Sequence, residues 1–139
     1  MMKSKNKESN LPDNFNQGRV LLAEDSVISA VHAESILKDL KLKIDVVQNG
    51  MEALRKTQEN RYDILLLDIY MPEMDGLEAT KHIRLMEPAR WRTPILILSS
   101  HPIEVDFLES NDIDDVVVKP FSREELAGKI FKYITRNSN

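Results

Sequence analysis

A small set of polar side chains stands immediately after short apolar runs, the position at which an open α/β sheet presents its chemistry. Glu24 and Asp25 follow Val20-Leu21-Leu22-Ala23, and Asp68 follows Ile64-Leu65-Leu66-Leu67. Ser99 and Ser100 follow Ile95-Leu96-Ile97-Leu98, and Lys119-Pro120 follows Val116-Val117-Val118. Three carboxylates gathered without a cation would repel one another and drive one pKa upward. A hard divalent ion removes that conflict. An all-oxygen donor set suits Mg²⁺, which takes one or two carboxylates, keeps several waters and commonly meets a substrate phosphate. The same cation offsets charge on a transferring phosphoryl group, whose remaining oxygens a Ser hydroxyl and Lys119 can hold. The expected nucleophile is the carboxylate in the middle of the group, Asp68.

Other chemistries are poorly served by the composition. Cysteine is absent, which excludes disulfides, Cys-ligated zinc or iron–sulfur centres and thiol catalysis. The three histidines, at 32, 82 and 101, form no metal-ligand pair. A net charge of −4 is not the basic footprint of a nucleic-acid binder. No apolar run approaches the roughly 20 residues that span a bilayer. The expectation is a cytoplasmic domain with no direct nucleic-acid or membrane contact of its own, free or carried by a membrane-bound parent.

The elements that must position these residues follow from periodicity. Residues 1–18 are rich in Lys, Asn and Ser and too poor in apolar residues to repay the entropy of ordering, so they are expected to form a tail or linker. Three lysines against Glu8 and Asp13 leave that segment at +1 and residues 19–139 at −5, so the folded part is acidic. From Arg19 onward, strand-length apolar runs alternate with segments of helical period. The runs beginning at Val20, Ile64 and Ile95 are apolar throughout, as in strands covered on both faces. Ile44 to Val47 and Val116 to Val118 complete five expected strands.

The first helix, residues 26–40, follows Asp25-Ser26, either of which can cap it, and is expected to bury Ile28, Ala33, Ile36, Leu37 and Leu40. Residues 51–59 follow the Asn49-Gly50 turn, and a third helix runs from Asp75 to about Met86 ahead of Pro88. A short acidic helix is expected from Pro102 to about Ser110. Ser122 and Glu125 form a capping box for the last helix, which buries Leu126, Ile130, Phe131 and Ile134. Five βα units obeying the right-handed crossover rule predict a flavodoxin-like doubly wound parallel sheet in the order 2-1-3-4-5.

Leu22-Ala23-Glu24-Asp25, Asp68-Ile69-Tyr70-Met71-Pro72-Glu73-Met74-Asp75-Gly76, Ser99 and Lys119-Pro120-Phe121 stand in the order and spacing of a known family. Over residues 19–136 the chain resembles the receiver domain of two-component response regulators. The resemblance implies that Asp68 accepts a phosphoryl group from a phosphohistidine of a histidine kinase or histidine phosphotransfer protein. It implies Mg²⁺ bound by Asp25, Asp68 and the backbone carbonyl of Tyr70, with Glu24 acting mainly through a water. Ser99 and Lys119 would hold phosphoryl oxygens. The protein is then both substrate and catalyst of its own phosphorylation rather than an enzyme with external turnover, and its output is a conformational shift. Arg19–Asp25, Asn49–Leu54, Met74–Thr80 and Thr93–Ile95 are most similar to receivers attached to hybrid histidine kinases. Only residues 137–139 follow the domain, so output is expected to pass to a downstream protein effector or another domain.

Several residues depart from the family pattern or have ordinary readings. Val116 stands where an aromatic switch residue is frequent, so signalling is expected through the loop after the fourth strand and the short helix. Tyr70 and His101 flank the phosphoryl position as large rim residues. His32 and His82 read as helix histidines, Trp91 as a loop aromatic against the sheet edge, and Asp45, Asp63 and Asp75 as structural. The acidic residues from Glu104 to Asp115 read as a solvated face. An aspartyl-nucleophile phosphohydrolase would want a carboxylate at Tyr70, and flavin phosphate would be repelled by Glu24-Asp25. A degenerate receiver that serves only as an interaction module is the remaining alternative.

Overall fold

The computed structural model describes residues 18–88 and 90–136. Strands β1 (Arg19–Ala23), β2 (Lys43–Val47), β3 (Ile64–Asp68), β4 (Ile95–Ser99) and β5 (Asp115–Val118) form one parallel sheet in the order β2-β1-β3-β4-β5. Helices α1 (Val27–Asp39), α2 (Gly50–Glu59), α3 (Gly76–Met86), α4 (Val105–Ser110) and α5 (Arg123–Arg136) alternate with them. This is the doubly wound flavodoxin-like topology expected from the alternation. Of the tail expected over residues 1–18, positions 1–17 lie outside the described residues, as do residues 137–139. Gly18 is buried, and its carbonyl accepts from Lys43 N–H at 2.9 Å.

The continuous apolar runs have their physical reason in the two layers of the core. Along β1, Val20 and Leu22 join the cluster beneath α1 and α5, whereas Leu21 and Ala23 join the cluster beneath α2 and α3. Ile64 and Leu66 against Leu65 and Leu67, and Leu96 and Leu98 against Ile95 and Ile97, divide the same way. Each strand side chain alternates face, and both faces are dry, so every position is apolar. The apolar runs end at the carboxyl rim of the sheet, where the buried polar residues Glu24, Asp68 and Ser99 stand.

Local signals set the connections. The side chains of Ser26, Asn49 and Asp75 accept from Ser29, Glu52 and Glu78 N–H and cap α1, α2 and α3. The Ser122–Glu125 capping box closes reciprocally at 3.0 and 2.9 Å. Gly76 lets the α3 start lie against the site strand, because a Cβ there would stand 2.3 Å from the Asp68 carbonyl oxygen. Asp63 accepts from Arg19 N–H, and Asp45 accepts from the Tyr62 hydroxyl at 2.6 Å, so both are structural as expected.

Three expectations are corrected. Ile28 is 82% exposed rather than buried, because the first turn of α1 projects past the sheet's carboxyl end, where nothing covers it. Helix α4 starts at Val105, not Pro102, and its N-cap residue Glu104 makes no side-chain cap bond. The acidic run is only partly a solvated face. Asp112 and Asp114 pair with Arg84 and Arg92, and Asp115 pairs with Lys129 at 2.8 Å. Arg84, whose side chain is 8% exposed, also donates to Glu87 and to the Thr93 and Asp112 carbonyls, tying α3 to the loops before β4 and β5.

Candidate functional site

Glu24 leaves β1 at the point where Glu24 N–H bonds the Val47 carbonyl, and Asp68 is the last residue of β3. Their strands are adjacent, so the two carboxyls meet at the carboxyl rim of the sheet. Lys119 arrives from β5 through the Lys119 N–H bond to the Ser99 carbonyl at 2.7 Å and the cis Lys119-Pro120 peptide. Its Nζ lies 2.8 Å from Glu24 Oε1 and 3.4 Å from Asp68 Oδ1. The three side chains form one compact cluster, with Glu24 2% and Asp68 7% exposed.

The electrostatics follow from one cation facing two buried carboxyls. Burial raises Asp68, a hydrogen bond with Glu24 and the Glu24 charge add to it, and Lys119 opposes; the carboxyl comes to about 7. Burial also pushes Glu24 up, but hydrogen bonds with Asp68, Lys119 and the Ser26 N–H outweigh it and hold Glu24 below its usual range. Desolvation disfavours the Lys119 ammonium, yet Glu24 and Asp68 together raise its pKa. Near neutral pH Asp68 is therefore only about half ionised, and a second cation in the bowl would favour its charged form.

The donor set fits Mg²⁺. Apart from the Lys119 ammonium, the groups at the rim offer hard oxygens, and when Asp68 is ionised two carboxylates face that one ammonium, leaving the bowl one positive charge short. Among the described residues, no three His, Asp or Glu side chains converge on one metal-sized point. Carboxylates, a backbone carbonyl and several waters would thus share the coordination, as Mg²⁺ prefers.

The remaining expected site residues are placed less uniformly. Asp25 is exposed, and no hydrogen bond or ion pair joins its carboxylate to the cluster among the described residues. Tyr70 is 78% exposed on the β3–α3 loop, two residues beyond Asp68. Ser99 is buried at the end of β4, but its Oγ donates to the His101 carbonyl at 2.8 Å and accepts from His101 N–H at 3.1 Å. To reach a group on Asp68, the Ser99 hydroxyl must leave that local turn. Ser100 is exposed and lines a cavity of about 420 Å³ beside Lys119.

Two features of the site were missed in the sequence. His32 stacks on Phe121 with centroids 5.1 Å apart, and its Nε2 lies 3.0 Å from the Phe121 carbonyl oxygen, fastening the Lys119-Pro120-Phe121 loop to α1. A contact spanning 89 positions leaves no local signal. Val27, Ile28 and Val31 also form an exposed apolar strip on α1 beside the bowl. Their close spacing at the helix start was the available clue.

Comparison with known proteins agrees with this geometry. The family model for the response regulator receiver domain matches residues 20–131. A probable histidine kinase 1 of Oryza sativa subsp. indica is 47% identical over 85 residues, 61% of this chain and 9% of its own. Sensor histidine kinase GacS of Pseudomonas protegens is 34% identical over 119 residues, 83% of this chain and 13% of its own. The chain therefore spans about a tenth of the length of these curated relatives. Among solved structures, the receiver domain of a sensor histidine kinase from Pseudomonas aeruginosa PAO1 superimposes with a TM-score of 0.78 at 31% identity, covering 86% of this chain and 98% of that one. That structure has a magnesium ion coordinated in the active site cleft. The receiver domain of the Saccharomyces cerevisiae response regulator Ssk1, solved with a histidine phosphotransfer protein, shares the fold with a TM-score of 0.81 at 22% identity, covering 94% of this chain and 95% of that one. With the family's match extending over nearly the whole sheet and over the strand ends that gather Glu24, Asp68 and Lys119, the chain belongs to the response regulator receiver domain family of two-component signalling.

Proposed function

We propose that residues 19–136 act as a phosphoacceptor switch in which Asp68 takes a phosphoryl group from a phosphohistidine. The observation that carries this reading is the buried Asp68 carboxyl, at the end of β3, with Lys119 Nζ 3.4 Å from Oδ1. In the step, an Asp68 oxygen bonds to phosphorus as the P–N bond breaks, and the histidine ring keeps that electron pair as the leaving nitrogen. The Lys119 ammonium faces the oxygens on which charge develops, as an electrostatic catalyst should. Mg²⁺, when bound by Asp25, Asp68 and the Tyr70 carbonyl, with Glu24 through a water, would neutralise phosphoryl charge.

Phosphoryl attachment turns the Asp68 carboxylate into a mixed anhydride whose negative charge sits on the phosphoryl oxygens, and Lys119 is drawn toward those oxygens, which loosens the 2.8 Å bond to Glu24. Ser99 then has an acceptor that competes with His101, and the β4–α4 loop follows the hydroxyl. The switch passes from Asp68 through this loop to α4 and on to a downstream protein effector or another domain. A histidine kinase or histidine phosphotransfer protein is the donor, and Val27, Ile28 and Val31 offer it an apolar landing strip beside the bowl. Tyr70, in place of a second carboxylate, is consistent with a domain that modifies itself rather than turning over external substrates.

Mass spectrometry after incubation with acetyl phosphate and Mg²⁺ tests the reading. A single labile phosphoryl adduct on the wild type, absent from Asp68→Ala, is the expected result; an adduct that persists in the variant overturns the assignment.

A further inference from the structure

We propose that the cavity at the opposite, amino-terminal end of the sheet binds a small organic carboxylate with an apolar body, held by Arg61. This site is separate from the phosphoryl site, because its residues precede β3 and β4 or, for Leu65, lie at the start of β3, whereas Asp68 and Ser99 end those strands. The cavity measures about 440 Å³, within the range of roughly 300–1,000 Å³ that encloses small ligands. Its apolar floor is built from the core residues Tyr62, Leu65 and Ile83.

Arg61 stands at the rim with its guanidinium carbon 4.2 Å from the centre of the Trp91 ring. Stacking uses the face of the guanidinium and leaves the N–H edge, which matches a carboxylate fork, pointing elsewhere. Arg61 makes no hydrogen bond or ion pair among the described residues, whereas Arg19, Arg84 and Arg92 in the same end of the molecule are all paired with carboxylates. The cavity's own acid cannot serve Arg61. Glu87 is already engaged through Oε2 by Arg84 at 2.9 Å and through Oε1 by Thr93 N–H at 3.2 Å. The Trp91 indole nitrogen is buried and meets no acceptor among the described residues. A cation held in place by an aromatic shelf above an apolar floor recognises a carboxylate on a hydrocarbon or aryl body. Because the stack fixes the Arg61 side chain beforehand, less rotamer freedom is lost on binding.

Trp91 is the chain's one tryptophan, so its emission reports on this cavity directly. The full chain is titrated with 3-phenylpropionate and, in parallel, with its neutral amide. The acid is expected to give a saturable change in emission, and the amide to bind about tenfold more weakly for loss of a charge-assisted pair. Arg61→Gln is expected to remove the difference between acid and amide while keeping the wild-type melting temperature and the extent of acetyl-phosphate labelling. No saturable response in the wild type, equal binding of acid and amide, or a preference retained in Arg61→Gln would each overturn the proposal.

Discussion

Replacing Asp68 by Asn isolates the electrostatics of the bowl. The Asp68 carboxyl rises from 3.8 to about 7 on folding, through burial first and the Glu24 carboxyl second. A carboxyl raised in this way contributes stability below its unfolded value, and that contribution is lost as pH climbs to the folded value. In EDTA the wild type should therefore weaken between about pH 4 and pH 7. At 1.36 kcal/mol per pH unit, the interval from 3.8 to about 7 corresponds to an upper bound of about 4 kcal/mol. The Lys119 ammonium and the Glu24 partnership are retained in the variant, so the part that Asn removes is on the order of 1–3 kcal/mol.

Thermal and urea unfolding of wild type and Asp68→Asn in EDTA, across about pH 4.5 to 8, is the assay. The variant should be more stable by that amount at about pH 8, roughly 3–10 °C in Tm, and equal to the wild type at about pH 4.5. Mg²⁺ should raise the Tm of the wild type at the upper pH, since it supplies the missing cation, and have little effect on the variant. Parallel stability curves for the two proteins across this range would refute the reasoning.

Lys119→Met leaves Glu24 and Asp68 facing each other with no ammonium between them, and is expected to cost about 2–4 kcal/mol at about pH 8 and less at about pH 5. The same variant should slow acetyl-phosphate labelling about 10²-fold, measured as an initial rate. Arg84→Ala removes the ion partner of half-buried Glu87 and one of the two guanidiniums at half-buried Asp114, which keeps Arg92, so urea unfolding should lose about 2–3 kcal/mol, with the loss spread over the β4 and β5 entries in hydrogen exchange. Gly76→Ala drives a methyl against the Asp68 carbonyl and should lower stability by about 1–3 kcal/mol while slowing Asp68 labelling; an unchanged labelling rate would detach that close approach from the chemistry.

The amino-acid order by itself determined the sheet and its rim. Continuous apolar runs at β1, β3 and β4 require two covered faces, and that condition with short connections leaves one topology, so Glu24, Asp68, Ser99 and Lys119 had to stand at strand ends. The Ser122 capping box was legible and Ser26 was one of two candidate caps, because such bonds lie within one turn of their own helix, whereas Asn49 reads as a turn residue and Asp75 as a helix start, and only the structure shows both as caps.

Only tertiary structure decided which strand-end groups touch. Glu24 and Lys119 are 95 positions apart and meet at 2.8 Å, while Asp25, adjacent in sequence to Glu24, is exposed and bonds neither of them among the described residues. The pKa of Asp68 belongs to that meeting, since burial and a neighbouring carboxyl are properties of place and not of residue type. Ile28 was misjudged for the same reason: helical period says which residues share a side, but the length of the sheet beneath decides where cover stops. The pairing of Asp112 and Asp114 with Arg84 and Arg92 likewise depends on two loops converging from distant parts of the chain, which no local pattern encodes.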